Sequence, residues 1–175
     1  ANPDHEQRVG ALIARHLPGV AVTLSHRLNP IVREYRRASA ACIDASLKPL
    51  MGRYLGDLAR RLAEDGFVGR LLMVTSHAGV TAGAAPADAP IHSLNSGPSM
   101  APVAGRHFAR LDAGGSAAIV ADTGGTSYDV SLVRGDRLPW TRETWLGPRF
   151  LGHMTGFPSV DVRSIGAGGG SLASV

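Results

Sequence analysis

One short segment combines the residue types that bind phosphate and a metal ion. An apolar run ends in Asp122, two glycines and several hydroxyl residues follow, and an apolar run resumes at Tyr128. Gly124 and Gly125 lack a Cβ atom, so the backbone can approach a phosphate closely. Successive N–H groups in such a turn form an anion-binding concavity, and Asp122 could hold a hydrated Mg²⁺ or orient a water. Three side chains could add hydroxyl donors: Thr123, Thr126 and Ser127.

The same string is also compatible with a β-hairpin that binds nothing. In that alternative the glycines serve turn geometry, and Asp122 makes a local bond to the backbone. The role of Asp129 also has two alternatives: it either supports the phosphate turn from behind or points outward from the following strand. Other sites are less compatible with the sequence. It contains no Gly-x₄-Gly-Lys-Ser/Thr string, and its seven histidines lack ligand-type spacing, which argues against a P-loop and a zinc site.

The elements that must position this segment alternate between helices and strands. Helices are predicted after Pro3, from residue 31 to about 65, and from Ser96, with Pro49 kinking or splitting the long one and Gly66 ending it. Cys42 is expected on the apolar side of the long helix, as core filler. Loops are expected at 26–30 and 76–94, the latter with one short helix. Strands are predicted at 20–24, 71–75, 117–121, 127–133, 138–145 and 160–165. The alternation indicates an α/β fold, and the consecutive hairpins indicate a mixed sheet.

Length and composition exclude several classes of protein. The chain has 175 residues, 18 basic and 14 acidic, for a net charge of +4. The basic residues are scattered among acidic ones and aromatics are few, which argues against nucleic acid as a partner. A single cysteine excludes an intrachain disulfide framework. No stretch reads as a membrane span or a signal peptide, so a cytoplasmic protein is predicted.

A second feature lies about 25 residues upstream of the turn. The helix that opens at Ser96 carries Gly97, Ala101 and Gly105 at four-residue spacing. Small residues at this spacing let two helix backbones approach closely, as in a hinge between two lobes. An ordinary surface helix is the alternative.

The order of small-residue helix, strand, Asp-x-Gly-Gly-Thr and strand resembles the actin, sugar-kinase and heat-shock-chaperone ATPase superfamily. Within it, four blocks are similar to the hydantoinase A/oxoprolinase family: residues 25–62, 96–98, 122–130 and 164–171. The blocks lie in the expected order, and together they span most of the chain, from residue 25 to residue 171. The resemblance implies a ribonuclease-H-like (actin-like ATPase) mixed sheet with flanking helices. It divides the chain into a helix-rich part (1–95) and a part with the hinge helix and phosphate hairpin (96–175).

The resemblance also implies a reaction. Members use ATP and Mg²⁺ to phosphorylate an amide or carbonyl oxygen, either opening a cyclic amide (hydantoinases, 5-oxoprolinase) or preparing a ketone for carboxylation. Substrates would be a hydantoin, oxoproline or a ketone, with a second, B-type subunit or domain as partner. By resemblance, Asp122 would carry the metal-water role, while Gly124, Gly125 and Thr126 would hold the β- and γ-phosphates. Three further glycines would approach the nucleotide: Gly168, Gly169 and Gly170.

Several points stay open at this stage. The glycine run at 166–170 is either a flexible end or this nucleotide-proximal loop, and His153, in a predicted loop, is either a substrate residue or merely solvated. The superfamily's first phosphate hairpin is missing, so the chain is expected to be an internal fragment without activity of its own. An amide-hydrolase subunit, a ketone carboxylase subunit and a non-catalytic nucleotide-binding module are the three hypotheses, with a homo-oligomer possible for each.

Overall fold

A computed structural model of the chain describes residues 2–82, 85–172 and 174. The helices are α1 (Asp4–His16), α2 (Ser25–Leu28), α3 (Glu34–Glu64), α4 (Ala85–Asp88) and α5 (Ser96–Ala113), with a 3₁₀ helix at Pro90–Ser93. The strands are β1 (Leu72–Val74), β2 (Val80–Ala82), β3 (Ala118–Thr123), β4 (Tyr128–Val133), β5 (Trp140–Thr141), β6 (Trp145–Leu146), β7 (His153–Met154), β8 (Ser159–Val160) and β9 (Val162–Ile165). Within these residues, no helix combines the length and apolar character needed to cross a membrane.

The chain forms two compact units. Unit 1 comprises Ala1–Met73, Val80–Leu94 and Arg142–Phe157, and unit 2 comprises Val74–Gly79, Asn95–Thr141 and Pro158–Val175. Unit 1 contains α1 to α3 and the β6–β7 hairpin, whereas unit 2 contains α5, the β3–β4–β9 sheet and the β5–β8 pair.

The long helix α3 organises unit 1. It is continuous, so the prediction that Pro49 splits it is wrong. A proline removes one helix hydrogen bond, but the adjacent turn is anchored from outside, because Lys48 Nζ donates to the Val22 carbonyl (2.8 Å). The predicted stop at Gly66 is confirmed. Gly66 has a φ of +84°, and its N–H and that of Phe67 donate to the Ala63 and Leu62 carbonyls, closing the last turn in a Schellman motif.

The predicted strand at 20–24 is wrong, because α3 side chains take the place of a neighbouring strand. Besides the Lys48 bond to Val22, the Thr23 hydroxyl donates to Asp44 Oδ2 (2.6 Å). The segment is therefore held without a ladder partner. The predicted loop at 26–30 contains the short helix α2, and the segment 76–94 contains β2, α4 and the 3₁₀ helix rather than one short helix.

The buried face of α3 differs from the expected apolar face. Its buried residues are Ala40, Asp44 and Leu55, whereas Cys42 is exposed, so the expectation that Cys42 fills the core is wrong. Ala40 packs with Ile91 and Phe157 in the core cluster of the unit. Asp44 is completely buried and accepts the Ile91 N–H at 3.1 Å.

Unit 2 is built on the antiparallel sheet β3–β4–β9. The predicted strands at 117–121, 127–133 and 160–165 correspond to β3, β4, and β8 with β9. Helix α5, confirmed from Ser96, packs on one face of this sheet. A Cβ at Gly105 would overlap the Val120 side chain of β3, so this glycine brings the helix close to a strand rather than to the partner helix expected from its spacing.

A single strand at 138–145 was predicted, and the structure instead has two short ones. β5 pairs with β8 and β6 with β7. Pro139 has no N–H for a ladder, and its carbonyl instead accepts the Asp161 N–H at 2.9 Å. Regular pairing therefore begins only at Trp140.

Candidate functional site

The glycine segment singled out in the sequence forms a tight turn between β3 and β4. The last strand pair joins Thr123 to Tyr128, and the N–H of Gly124 donates to the Ser127 carbonyl at 2.9 Å. All residues from Asp122 to Thr126 are exposed. The turn is thus presented at the end of a regular ladder, with its backbone accessible.

The second glycine run, residues 166–170, lies directly against this turn. The N–H of Gly169 donates to the Gly124 carbonyl (2.9 Å), and that of Gly170 donates to the Gly125 carbonyl (3.1 Å). The strand pairing explains the approach, because β9 pairs with β4 and its last residue, Ile165, lies opposite Tyr128 at the start of β4. The chain that leaves β9 therefore emerges beside the turn.

The hydrogen bonding leaves the turn with free donors. The carbonyls of Gly124 and Gly125 are occupied by the glycine run. Within the part of the chain that the structure describes, the N–H groups of Gly125, Thr126 and Ser127 donate to no other group. Three successive free N–H groups in an exposed turn provide the donor set of an anion-binding site.

Two carboxylates face each other beside the turn. Asp122 of β3 is paired with Asp129 of β4, so their side chains lie on the same face of the sheet. Asp122 is exposed. Asp129 is only 6% exposed, which contradicts the alternative that it points outward from the strand. Its Oδ2 accepts the Ser127 hydroxyl at 3.1 Å, and its buried Oδ1 has no hydrogen-bond partner among the described residues.

The bond to Asp129 defines what Ser127 can offer a ligand. A carboxylate accepts and does not donate, so the Ser127 hydroxyl proton is directed to Asp129. The lone pairs of the Ser127 oxygen remain for a water or cation, while its backbone N–H remains for an anion. This is a different role from the hydroxyl donor suggested by the sequence.

A metal at this site would depend on few protein ligands. Among residues 2–82, 85–172 and 174, no three His, Cys, Asp or Glu side chains are grouped as a metal cage. Mg²⁺ is commonly held by one or two carboxylates together with phosphate oxygens and waters. Asp122 fits that pattern, because its carboxylate is exposed next to the free N–H groups of the turn.

His153 belongs to unit 1, whereas the other predicted site residues belong to unit 2. It lies in the short strand β7 opposite Leu146, not in the predicted loop, and it is exposed. Gly152 makes this hairpin possible, because a Cβ there would overlap the Leu146 carbonyl.

Sequence reasoning missed Ser171 as part of the site. Its Oγ accepts the Gly168 N–H at 3.1 Å, and its own N–H donates to the Gly168 carbonyl at 2.9 Å. The two bonds close residues 168–171 into a compact turn. A serine just after a glycine run is a signal for such closure, since short hydroxyl side chains bond to nearby backbone in turns.

This chain is similar in sequence and in structure to enzymes of one family. The sequence model of the family described as hydantoinase/oxoprolinase matches residues 37–175. The chain is 36% identical to caprolactamase subunit alpha of Pseudomonas jessenii over 98% of its length and 24% of the relative. It is 31% identical to the acetophenone carboxylase gamma subunit of Aromatoleum aromaticum, over 99% of its length and 24% of the relative. The chain thus spans about a quarter of the length of these relatives.

The crystal structure of ATP-dependent caprolactamase from Pseudomonas jessenii has the same fold over this region. The TM-score is 0.79 at 34% identity, covering 99% of this chain and 24% of that one. The match confirms the predicted α/β, actin-like ATPase fold class. With the family model and the relatives in agreement, the chain belongs to the hydantoinase/oxoprolinase family.

Proposed function

We propose that this chain provides a phosphate-binding part of an enzyme that uses ATP to activate the carbonyl oxygen of a cyclic amide for ring opening. The observation that carries the proposal is the β3–β4 turn. Its Gly124 and Gly125 carbonyls are occupied, three successive N–H groups have no acceptor among the residues that the structure describes, and the exposed Asp122 lies at its edge.

The residues present fit a nucleotide phosphate with its metal ion. Where a Cβ would stand, Gly124 meets only the Ser127 carbonyl at 3.6 Å and Gly125 meets nothing within 4 Å, so the turn is open on the side that these two side chains would occupy. Asp129 lies opposite Asp122 on the neighbouring strand, and its buried Oδ1 has no hydrogen-bond partner among the described residues. A cation would offset the cost of two carboxylates at directly opposed positions on neighbouring strands.

Each residue then has a defined task. The N–H groups of Gly125, Thr126 and Ser127 bind phosphate oxygens, and the Thr123 and Thr126 hydroxyls are further donors. Asp122 holds a hydrated Mg²⁺. Bound ATP supplies the phosphoryl group that activates the substrate oxygen. The chain contributes by positioning and by fixed dipoles that need no reorganisation, which are the main contributions of proteins to phosphoryl transfer. We include Gly168–Gly170 in the site, and we leave His153 as a candidate substrate residue.

The name of one relative supports a cyclic amide as the substrate class. Caprolactamase is named for a lactam, and its subunit alpha is 36% identical to this chain. The subunit designations of both relatives support a second subunit as partner. A ketone carboxylase is the second candidate function, because the acetophenone carboxylase gamma subunit is 31% identical over nearly the whole chain.

Calorimetric titration of Mg²⁺-ADP into the chain tests the nucleotide site. We expect binding by the wild type and an affinity about tenfold or more lower in Asp122→Ala, since loss of a charged metal contact costs at least about 1.4 kcal/mol. Asp112→Ala is the matched control, because Asp112 is an exposed aspartate of α5 in the same unit. No binding by the wild type, or equal weakening in both variants, would contradict the proposed site.

Turnover separates the candidate functions. By itself the chain is expected to release no phosphate from ATP above the Asp122→Ala background. In the complete enzyme with its partner subunit, we expect ATP-dependent ring opening of a lactam or hydantoin. Carboxylation of acetophenone with bicarbonate would instead support the second candidate function. Nucleotide binding without either product would support the non-catalytic module.

A further inference from the structure

We propose that the turn formed by residues 168–171, the glycine clamp, positions the phosphate-binding turn and sets the direction of two of its free N–H groups, those of Gly125 and Thr126. The inference rests on the proposed function and assigns a positioning role within that site. Its starting point is the pair of hydrogen bonds from Gly169 and Gly170 to the Gly124 and Gly125 carbonyls.

Peptide geometry converts these bonds into an orientation. The carbonyl of Gly124 and the N–H of Gly125 belong to one planar trans peptide, and the two groups point in opposite directions. The bond from Gly169 fixes the Gly124 carbonyl toward the clamp, so it directs the Gly125 N–H away from it. The bond from Gly170 to the Gly125 carbonyl does the same for the N–H of Thr126.

The bonds also control the local charge. Carbonyl oxygens carry the negative ends of the peptide dipoles, and a phosphate is repelled by them. With both oxygens bonded to the clamp, the positive ends of the same dipoles remain for the anion. The clamp therefore acts on a phosphate through the turn.

Gly168 is the residue on which the close approach depends. A Cβ at this position would lie 2.7 Å from the Gly124 oxygen and 2.9 Å from both the Gly125 carbonyl carbon and the Ser127 nitrogen. All three are backbone atoms of the turn, and none can rotate away. A side chain at 168 must therefore push the clamp and the phosphate-binding turn apart.

The neighbouring glycine offers a matched control. A Cβ at Gly169 would stand 3.7 Å from the Gly124 oxygen, an ordinary van der Waals contact. Gly168→Ala and Gly169→Ala make the same chemical change one residue apart, both remove backbone freedom, and only the first separates clamp from turn.

The test uses hydrogen exchange and nucleotide binding on the same variants. Without nucleotide, the amides at 169 and 170 are expected to exchange faster in Gly168→Ala than in the wild type or Gly169→Ala, because open hydrogen bonds lose protection. Calorimetry with Mg²⁺-ADP is expected to show about tenfold weaker binding for Gly168→Ala and a change of less than about twofold for Gly169→Ala. Unchanged melting temperatures would separate this effect from general unfolding.

A milder variant keeps the inference testable if Gly168→Ala does not fold. Ser171→Ala removes the oxygen that accepts the Gly168 N–H at 3.1 Å, and we expect faster exchange at 169 and 170 with about two- to fivefold weaker binding. If the wild type binds Mg²⁺-ADP and these variants bind equally well, the clamp is overturned and the proposed function stands. If the wild type does not bind, the proposed function fails, and the clamp's role in it fails as well.

Discussion

Asp122 and Asp129 lie directly opposite each other on β3 and β4, with one carboxylate exposed and the other 6% exposed. Like charges at directly opposed positions destabilise a sheet. The buried partner adds a desolvation cost, because its Oδ1 has no hydrogen bond among the described residues. The fold thus keeps an unfavourable arrangement at the point where the proposed site needs negative charge.

Replacement of Asp129 by asparagine should therefore stabilise the protein in the absence of divalent cations. Asp129→Asn keeps an acceptor for the Ser127 hydroxyl and removes the buried charge. We expect the free energy of unfolding to rise by about 1 kcal/mol, measured by urea denaturation in EDTA. Binding of Mg²⁺-ADP should weaken in the same variant, because the site loses negative charge near Asp122.

Asp122→Asn is the control that separates charge repulsion from burial. It removes the same pairwise repulsion, but the Asp122 side chain is exposed, so its effect on the free energy of unfolding should stay within about 0.5 kcal/mol. A clear loss of stability in Asp129→Asn would show that the buried carboxylate is satisfied in solution and that the argument from its unpartnered oxygen is wrong.

The surroundings of two helix glycines, Gly105 of α5 and Gly56 of α3, predict opposite effects on stability when each is replaced by alanine. In Gly105→Ala the new methyl group overlaps the side chain of Val120. Valine is stiff at χ1 and cannot swing away, so we expect a loss of about 1–3 kcal/mol. Nothing outside its own helix backbone lies within 4 Å of a Cβ at Gly56, in the interior of α3, so Gly56→Ala should gain up to about 1 kcal/mol from helix propensity.

Thermal unfolding of both variants and of the double variant Gly105→Ala/Val120→Ala checks the contact. Removal of the valine methyl groups makes room for the new alanine, so the two substitutions should cost less together than the sum of their separate effects. If the losses of stability in the two single variants simply add in the double variant, the destabilisation by Gly105→Ala arises within the helix and not from its contact with β3.

Local chemistry explains which parts of the fold were predictable from sequence. The β3–β4 turn, the start of α5 at Ser96 and the stop of α3 at Gly66 depend on residues within a few positions. By contrast, the segment 20–24 has strand-forming residues but is held by Asp44 and Lys48 of α3. A sequence pattern cannot show that side chains from a distant helix will take the place of a neighbouring strand.

In the candidate site, too, features set by nearby residues were predictable and features set by distant residues were not. The glycines of both runs were identifiable by type, and Asp122 by its place at the end of a strand. The contact of Gly169 with Gly124 could not be identified from the sequence, because it depends on the pairing of β9 with β4, two strands that are far apart in the chain. The burial of Asp129 likewise depends on which face of β4 is covered. The alternation of residues along the strand does not determine which of the two faces that is.

The acid stability of unit 1 should depend on Glu6. Burial raises the pKa of this carboxyl, but hydrogen bonds from the Ser25 hydroxyl and from the His26 backbone and ring, with the charge of Arg37, outweigh burial and lower the pKa from 4.5 to about 2. The Ser25 hydroxyl donates to Oε1 at 2.6 Å and the His26 N–H donates to Oε2 at 3.0 Å. These contacts join α1 to the segment that begins α2.

The sign of the pH effect follows from this lowered pKa. The ionised form is favoured in the folded state, so its contribution to stability is complete above about pH 4.5 and disappears as the pH falls toward 2. At pH 6, Glu6→Gln should melt about 2–4 °C below the wild type, and the difference should shrink steadily between pH 4.5 and 2. Glu34→Gln is the matched control, since Glu34 is exposed at the start of α3. A difference between wild type and Glu6→Gln that persists unchanged at pH 2 would mean that the carboxylate does not stabilise the fold through its charge, and that the deficit comes from hydrogen bonds with Ser25 and His26 that the amide fails to reproduce.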